Sequence, residues 1–326
     1  MSVKSNDLRK LALDTYKNSS LEFEGVSGND AMRNAIKDAM GGEELSYYTY
    51  EAHKTELFQI IATAVDAVMP TLLTDQFSNL ADIRNVSLND KPLFQVSDPR
   101  ILRVGHVAAG NQDLRRQTIT GKNFTIETDW YGMAVYAEFE QFMAGEIDWT
   151  DLVNRITQGF AIFLEEKIGT ALNKAYSALN TPYKVDVDGS LDGILNLVEL
   201  VQVHSGKKAA IYGTKFGLGK LAKLADASGN MKDEMNKIGY LGTISGVPVY
   251  EIPQAVNSKD EFAIDDKTLL VLPEGEKIVG VVIEGDTIVN EPDRMDRNDM
   301  QLGFKTLEKL GVEVLQMKVF GVATLK

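Results

Sequence analysis

The most regular pattern of apolar positions along the chain lies in residues 148–179. Apolar side chains recur there at steps of three and four, the spacing that places them on one face of a helix. Asp148 and Asp151 occupy its N-cap and N3 positions, where carboxylates favour the positive end of a helix. The sequence Asn-Thr-Pro at 180–182 ends the pattern. A helix of this length extends about 45 Å, which is typical of a spine.

Residues 83–131 instead alternate between apolar and polar positions, the pattern of strands with one covered face. One run ends at Val104, and a second, from Thr118 to Trp130, places Phe124, Ile126 and Trp130 on one side. The small residues between the runs predict a soft tip, so the pattern predicts a long two-stranded ribbon. Because two isolated strands are only marginally stable in water, the ribbon must lie on another surface.

The first third of the chain is otherwise helical. Residues 1–50 contain short elements with too little apolar surface for a core of their own, which predicts a docked arm. Residues 51–69 predict a helix with one apolar face, and Pro70 is expected to stop it or to begin a new turn.

The second half predicts a compact mixed domain. Between 190 and 290 short helices and strands alternate, with a buried strand at 209–212 followed by a capped helix at 215–224. Residues 300–326 return to strand character and are expected to pack along the 148–179 helix. The fold class is therefore α+β.

The charge of the chain is unevenly distributed. The 326 residues carry a formal net charge of −13, so the basic footprint of a protein that grips duplex DNA is missing. Residues 83–128 depart from this average, since seven basic and four acidic side chains give a local balance of +3. The predicted ribbon therefore suits an acidic neighbour, which is a first indication of self-assembly.

Sequence features of membrane insertion, export and catalysis are also missing. No run approaches the roughly 18 consecutive apolar residues of a membrane span, and the first residues lack the apolar core of a signal peptide. There is no cysteine, and the three histidines are far apart. Residues 213–220 resemble a phosphate loop, but the glycine spacing is wrong and Leu221 replaces the Ser or Thr that binds magnesium. We therefore expect no membrane partner, no enzymatic activity, no catalytic residues, no metal site and no cofactor.

Acidic and basic side chains alternate near the end of the mixed domain. Asp293 and Asp296 are spaced like one helical face, and Arg294 and Arg297 are interleaved with them. This pattern favours a salt-bridged surface or subunit contact over a metal site.

Two stretches resemble a known family. Residues 209–224, AAIYGTKFGLGKLAKL, are similar to the strand-then-helix segment of tailed-bacteriophage major capsid proteins with the Hong Kong 97-type fold. Residues 241–252, LGTISGVPVYEI, are similar to the G-x-P-V strand of the same family. The order of the predicted parts resembles this fold over nearly the whole chain.

The resemblance implies a division of the chain into named parts. These are an N-arm at 1–50, a helical connector at 51–82, an E-loop β-hairpin at 83–131, a P-domain at 132–184 and 296–326 with its spine helix at 148–179, and an α/β A-domain at 185–295.

The resemblance also implies partners and contacts. Subunits would gather as pentamers and hexamers of an icosahedral shell around double-stranded DNA, with weak contact to that DNA. Portal and scaffolding proteins would be partners, a decoration protein is a further candidate, and assembly of the virion capsid would occur in the host cytoplasm. The residues expected at inter-subunit contacts are Arg100, Arg103, Arg115, Arg116, Lys122 and Phe124 in the E-loop and Asp293, Arg294, Asp296 and Arg297 in the P-domain.

Two maturation steps of related capsids are not expected here. The predicted ribbon tip, 105–113, contains no lysine, so we expect no covalent isopeptide cross-link. The 50-residue arm is short for a cleaved scaffold, so we expect a separate scaffolding protein and an untrimmed N-terminus.

Two other interpretations remain open. An encapsulin-type bacterial compartment shell has the same fold and would hold enzyme cargo, although the long N-arm favours the phage. A cytoplasmic α/β enzyme would be a monomer or small oligomer with a polar pocket within 185–295.

Overall fold

The computed structural model describes residues 5–17, 22–23, 26–27, 31, 34–35, 37–38, 47–96, 102, 104–106, 116, 121–138, 149–179, 181–225, 229–254, 256, 261–291, 301–315 and 319–326. The helices are α1 (Ser5–Lys17), α2 (Tyr47–Phe77), α3 (Trp149–Ala178), α4 (Asp192–Ser205), α5 (Lys215–Leu224) and α6 (Gly229–Ile238). The strands are β1 (Glu22–Phe23), β2 (Val26–Ser27), β3 (Ala81–Val86), β4 (Leu93–Val96), β5 (Lys122–Thr125), β6 (Asp129–Glu138), β7 (Lys184–Val187), β8 (Ala209–Gly213), β9 (Thr243–Ile244), β10 (Val247–Glu251), β11 (Thr268–Pro273), β12 (Val279–Glu284), β13 (Ile288–Asn290), β14 (Gln301–Val314) and β15 (Gly321–Leu325).

Helix α3 is the predicted spine, and its bounds agree with the pattern at 148–179. Its apolar face is buried, with Ile156, Leu164, Ile168 and Leu172 each at most 1% exposed. These side chains share one core with residues of α2 and of both large sheets described below. The spine therefore joins the two halves of the fold.

Helix α2 is longer than its pattern predicts, because it runs through Pro70 to Phe77. Of the two expectations for Pro70, that it stops the helix is wrong, since further helical turns follow it. A proline removes one helical hydrogen bond, but Val65, Val68 and Met69 beside it are buried, and their packing offsets the loss. By length and composition α2 would also suit a membrane span, which the sequence pattern did not suggest. In the structure it packs against α1, α3, β3 and β13.

Strand β14 organises the first sheet, which we call the ribbon-bearing sheet. On one edge β14 pairs with β6 from Gln301↔Glu138 to Leu310↔Asp129. On the other edge it pairs with β13 and then with β12, and β3 runs parallel to β12.

Two sequence-based assignments change at the ribbon-bearing sheet. Strand β3 belongs to it although 83–86 was assigned to the ribbon, and β12 and β13 belong to it although 185–295 was assigned to the α/β domain. The physical reason is that β12 is buried at every position between two neighbouring strands. Such an apolar run has the same sequence signature in the centre of either sheet.

The second sheet, which we call the helix-covered sheet, has the strand order β7-β15-β11-β8-β10-β9 among the described residues. One face packs under α4 and α5, and the other contributes to the core around α3. The predicted strand at 209–212 and helix at 215–224 are confirmed, and the Thr214 side chain caps α5 by accepting a hydrogen bond from the Gly217 N–H.

The end of the chain divides between the two sheets. Strand β14 contacts α3, as expected for residues 300–326, but β15 lies between β7 and β11 in the helix-covered sheet. The expectation that residues 300–326 pack along the spine therefore holds for only one face of this last strand. Val322 faces the core around α3, whereas Ala323 and Leu325 face the core under α4, so β15 buries both of its faces.

A buried group of acids fixes α2 to the ribbon-bearing sheet. The Thr287 N–H donates to Asp66 Oδ1 at 2.9 Å, and Thr287 Oγ1 lies 2.5 Å from the same oxygen. The Thr287 hydroxyl also contacts a carboxyl oxygen of Glu308, which is 2% exposed. One hydroxyl has one hydrogen to donate, so the second contact requires a protonated carboxyl. Burial raises the pKa of Glu308 to about 7, in agreement with a proton held there.

This geometry predicts a pH dependence of stability. Because the pKa of Glu308 is raised on folding, its favourable contribution is complete below its ordinary pKa of 4.5 and is lost as the pH rises through about 7. The free energy of unfolding should therefore fall by up to about 3 kcal/mol between pH 5 and pH 8, the equivalent of the shift in pKa. Urea titrations at several pH values measure the slope.

Glu308→Gln should reduce this slope, since the amide keeps the shape of the side chain without titrating. The exposed Glu313 of the same strand provides the matched control, and Glu313→Gln should leave the slope unchanged. Some slope should persist in both variants, because burial also raises the pKa of Glu165 to about 7. Equal slopes for Glu308→Gln and the parent protein would contradict the protonated cluster.

Candidate subunit interface

The predicted ribbon begins as an antiparallel pair. Strands β4 and β5 pair from Leu93↔Thr125 to Val96↔Lys122. Beyond this pair the structure describes only residues 102, 104–106, 116 and 121 of the ribbon. The two-stranded start is therefore confirmed, and all of the expected tip except residues 105 and 106 lies outside the described residues.

The base of the ribbon is tucked against its own chain. Phe94, Val96 and Ile126 are each at most 2% exposed and form a small separate core with Val282 and Leu315. This core explains how the two strands start without support from another molecule. It also restricts the need for outside support to the part of the ribbon beyond Val96 and Lys122.

The base of the ribbon packs closely against two glycines of the ribbon-bearing sheet. A Cβ atom at Gly280 would come within 2.5 Å of Ile126 Cδ1. A Cβ atom at Gly311 would come within 2.4 Å of the Glu127 carbonyl oxygen, which is backbone and cannot rotate away. Gly280 and Gly311 lie on the paired strands β12 and β14, so together they leave room for the returning ribbon strand.

A buried glutamate, Glu284, binds both chain segments at the base of the ribbon. Glu284, at the end of β12, is 2% exposed and accepts hydrogen bonds from Lys309 Nζ at 2.7 Å and from the Asn89 N–H at 2.6 Å. The Thr128 hydroxyl donates to its other oxygen. Asn89 precedes the outgoing strand and Thr128 follows the returning strand, so one carboxylate holds both. The hydrogen bond from Lys309 is the largest of the interactions that lower the pKa of Glu284 to about 2.

Arg84 ties the outgoing strand to the sheet. Its guanidinium pairs with Asp82 at 2.9 Å, donates to the Leu93 carbonyl oxygen at 2.9 Å and lies 4.2 Å from the centre of the Phe94 ring. One of the basic side chains counted for the ribbon is therefore engaged within its own subunit.

Apolar side chains remain uncovered both on the ribbon and beside its base. Val104 is fully exposed and Leu102 is 53% exposed. Leu88, Trp130 and Ile288 are also exposed and line a groove of about 480 Å³ next to Gly285. Exposed aromatic and aliphatic side chains grouped in this way are typical of protein–protein contacts.

The structure describes only some of the residues that were predicted to make inter-subunit contacts. Arg116 is exposed, Lys122 lies in β5, and Phe124 is half-buried against the small core of its own subunit. Their roles between subunits remain predictions. The others lie outside the described residues: Arg100, Arg103, Arg115, Asp293, Arg294, Asp296 and Arg297.

One detail of the sequence pattern was wrong. Phe124, Ile126 and Trp130 were placed on one side of a single strand, but the strand breaks at 126–128. The contact between Thr128 and Glu284 holds the bend, so Ile126 is buried while Trp130 is exposed. The sequence analysis also missed Glu284, for which the only signal is a carboxylate that ends an apolar strand directly before Gly285.

The described residues contain no group of three or more His, Cys, Asp or Glu side chains that could hold a metal ion. The loop that resembles a phosphate-binding motif is occupied by its own contacts. The Thr214 hydroxyl donates to Asp266 Oδ1 at 2.6 Å and accepts from the Gly217 N–H at 3.3 Å. The features that the structure brings together are therefore those of a contact surface.

The sequence matches one protein family, described as "SPbeta prophage-derived putative capsid protein YonB", over residues 7–324. No curated protein matches the sequence.

Solved capsid structures share the fold. The capsid subunit of a native GTA particle superposes with a TM-score of 0.52 at 16% identity, covering 78% of this chain and 90% of that chain. For the capsid of the cyanophage P-SCSP1u the TM-score is 0.51 at 12% identity, covering 77% and 88%. For the mature capsid of bacteriophage PhiM1 it is 0.50 at 13% identity, covering 77% and 86%. The expected α+β fold of the Hong Kong 97 type is thus confirmed.

The close packing at Gly280 and Gly311 predicts the effect of adding one methyl group. Gly311→Ala should lower the free energy of unfolding by about 1–3 kcal/mol, because the Glu127 backbone has to move away. Gly193→Ala provides the control, since its Cβ would lie 3.3 Å from the nearest atom, Val185 Cγ1. Chemical denaturation compares the two variants, and equal stability would contradict the close approach at Gly311.

Substitution of Glu284 should have a larger effect on the free energy of unfolding. Glu284→Gln leaves Lys309 without its partner carboxylate and should lower the free energy of unfolding by about 3 kcal/mol. Because the pKa of Glu284 is lowered, its contribution is present above the ordinary pKa of 4.5 and is lost as the pH falls towards about 2. The loss on mutation should therefore be largest at pH 6, smaller at pH 3, and should vanish only as the pH falls through about 2. The exposed Glu274 provides the matched control, and an equal effect of Glu274→Gln would contradict the assignment.

Proposed function

The chain belongs to the YonB capsid-protein family, and from this premise we propose that its copies associate as pentamers and hexamers of an icosahedral shell. Family and fold make the protein a structural major capsid protein of the phage type, located in the virion capsid. We also propose that the capsid is assembled in the host cytoplasm.

One observation carries the proposal of a shell. The ribbon leaves a base that its own chain anchors through Phe94, Ile126 and Glu284, and beyond that base Leu102 and Val104 are exposed. Apolar side chains gain free energy when they leave water, so a second subunit would stabilise the ribbon by covering them. Exposed ion pairs from its arginines would add little individually, typically less than about 1 kcal/mol each. Repetition over many subunits makes such weak contacts sufficient.

The proposed division of the subunit keeps the expected names. The N-arm is 1–50, the connector 51–82, the E-loop 83–131, and the P-domain 132–184 with 296–326. The A-domain is 185–295. Strand pairing refines these bounds, because β3, β12 and β13 pair within the ribbon-bearing sheet and β15 within the helix-covered sheet.

The proposed contents and partners follow from the charge and the family. A shell of subunits with a net charge of −13 would contact packaged double-stranded DNA only weakly, which suits a container that must release its contents. Portal and scaffolding proteins, and as a further candidate a decoration protein, complete the proposed set of partners.

The encapsulin alternative is less well supported, because the family that matches is one of phage capsid proteins. Nucleic acid in purified particles distinguishes the two, since an encapsulin would contain protein cargo. The alternative of an α/β enzyme has no support from the family match or from the fold.

Shortening the ribbon tests the proposed shell. Residues 97–121 can be replaced by Asn-Gly, because Val96 and Lys122 face each other across β4 and β5 and a two-residue turn can join them. The shortened subunit should keep a thermal midpoint close to that of the full chain, since the base packs on its own core. It should form no particles in electron micrographs and should sediment as a small species.

A second variant keeps the length of the ribbon. Leu102→Asp with Val104→Asp removes only the exposed apolar side chains and should also reduce particle formation. Normal shells from the shortened chain would contradict the role of the ribbon.

A further inference from the structure

Charge is segregated along the segment that builds the helix-covered sheet. Residues 185–206 carry four acidic side chains and no lysine or arginine. Residues 207–225, which follow directly, carry five lysines and no acidic side chain. The acids are Asp186, Asp188, Asp192 and Glu199, and the lysines are Lys207, Lys208, Lys215, Lys220 and Lys223.

The fold places these two segments at different parts of one face of the sheet. Helix α4 packs over β7, β15, β11 and β8, and α5 packs over β11, β8 and β10, so α4 extends to the β7 edge and α5 extends towards the opposite edge. All four acids are exposed, and so are Lys215 and Lys223, with Lys220 half-buried. The module therefore has an acidic side, formed by β7 and α4, and a basic side, formed by α5.

Neighbouring charges weaken this contrast without removing it. On the acidic side Lys326 Nζ lies 3.1 Å from Asp188 and 3.8 Å from Asp186, so one lysine is shared between two acids. Lys184 of β7 is also exposed there, and the exposed Lys207 and Lys208 directly follow α4. On the basic side Asp233 and Glu251 are exposed, and Lys237 of α6 adds to the lysines of α5.

The basic side also presents an aromatic ring. Phe216 is 61% exposed, and Lys220 Nζ lies 4.6 Å from the centre of its ring. The apolar stem of a lysine beside an exposed phenylalanine offers apolar area together with positive charge. An exposed phenylalanine is a residue type enriched at protein contacts.

We propose that the α5 surface, defined as Lys215, Phe216, Lys220 and Lys223, contacts the acidic β7–α4 side of the next copy around a ring. This inference rests on the proposed assembly into pentamers and hexamers. In a closed ring each contact joins two different sides of the subunit, so one side must complement the other. A two-fold contact would bring like charges together and is disfavoured by the same distribution.

Charge reversal tests the proposal. One variant carries Lys215→Glu, Lys220→Glu and Lys223→Glu, and another carries Asp186→Lys, Asp188→Lys and Glu199→Lys. Each should lower the yield of particles from the full chain at least about tenfold at low salt, because like charges then face each other. A variant with all six changes restores opposite charges and should recover most of the yield.

A matched control reverses three exposed lysines outside this sheet, Lys10, Lys37 and Lys174, with the same change in net charge. This control should assemble like the parent protein. Circular dichroism and thermal midpoints confirm that each variant is folded, and recovery in the six-change variant shows that the single-side variants fail at the contact.

The results distinguish failure of the proposed ring contact from failure of the proposed shell. If the parent chain forms no particles, the proposed function fails. If the parent forms particles and the single-side variants assemble equally well, the ring contact is contradicted while the shell stands. Failure of the folded six-change variant to recover also contradicts this contact.

Discussion

The fold depends on how a two-stranded ribbon is held at its base. Two strands cannot bury enough apolar surface to be stable alone. Here Ile126 lies over Gly280 and Gly311, and Glu284 holds the chain where the ribbon starts and where it returns. The desolvation cost of burying the Glu284 carboxylate is offset by its ion pair with Lys309 Nζ at 2.7 Å. Because the base is anchored within its own subunit, only the rest of the ribbon would need to be covered by another copy.

The same sheet connects this base to the remainder of the molecule. Strand β14 contacts the spine α3 and, through Glu308 and Thr287, also the helix α2. A displacement of the ribbon base would therefore shift β12 and β14, and these strands would in turn displace both long helices. The second sheet shares the core around α3 but presents its charged sides outward, so the proposed support of the ribbon and the proposed contact around a ring would use different surfaces.

Much of this architecture could be predicted from local patterns. The period of three and four in 148–179 gave the spine, and the segment 209–224 gave the strand and the capped helix. Sheet membership could not be predicted, because the apolar runs of β12 and β15 fit the centre of either sheet. The passage of α2 through Pro70 depends on tertiary packing, and the role of Glu284 depends on residues far away in sequence. Long-range contacts of this kind leave no periodic signal.

The most direct test of the central claim uses the absence of cysteine from the chain. Val104→Cys introduces a unique thiol at a fully exposed ribbon position, and its rate of labelling by a maleimide reports whether that position is covered. Labelling should be fast in unassembled subunits and at least about a hundredfold slower in particles, since a covered thiol reacts only through rare openings. Equal rates in both forms, or a thiol already protected in the isolated subunit, would contradict a ribbon that is covered by its neighbour.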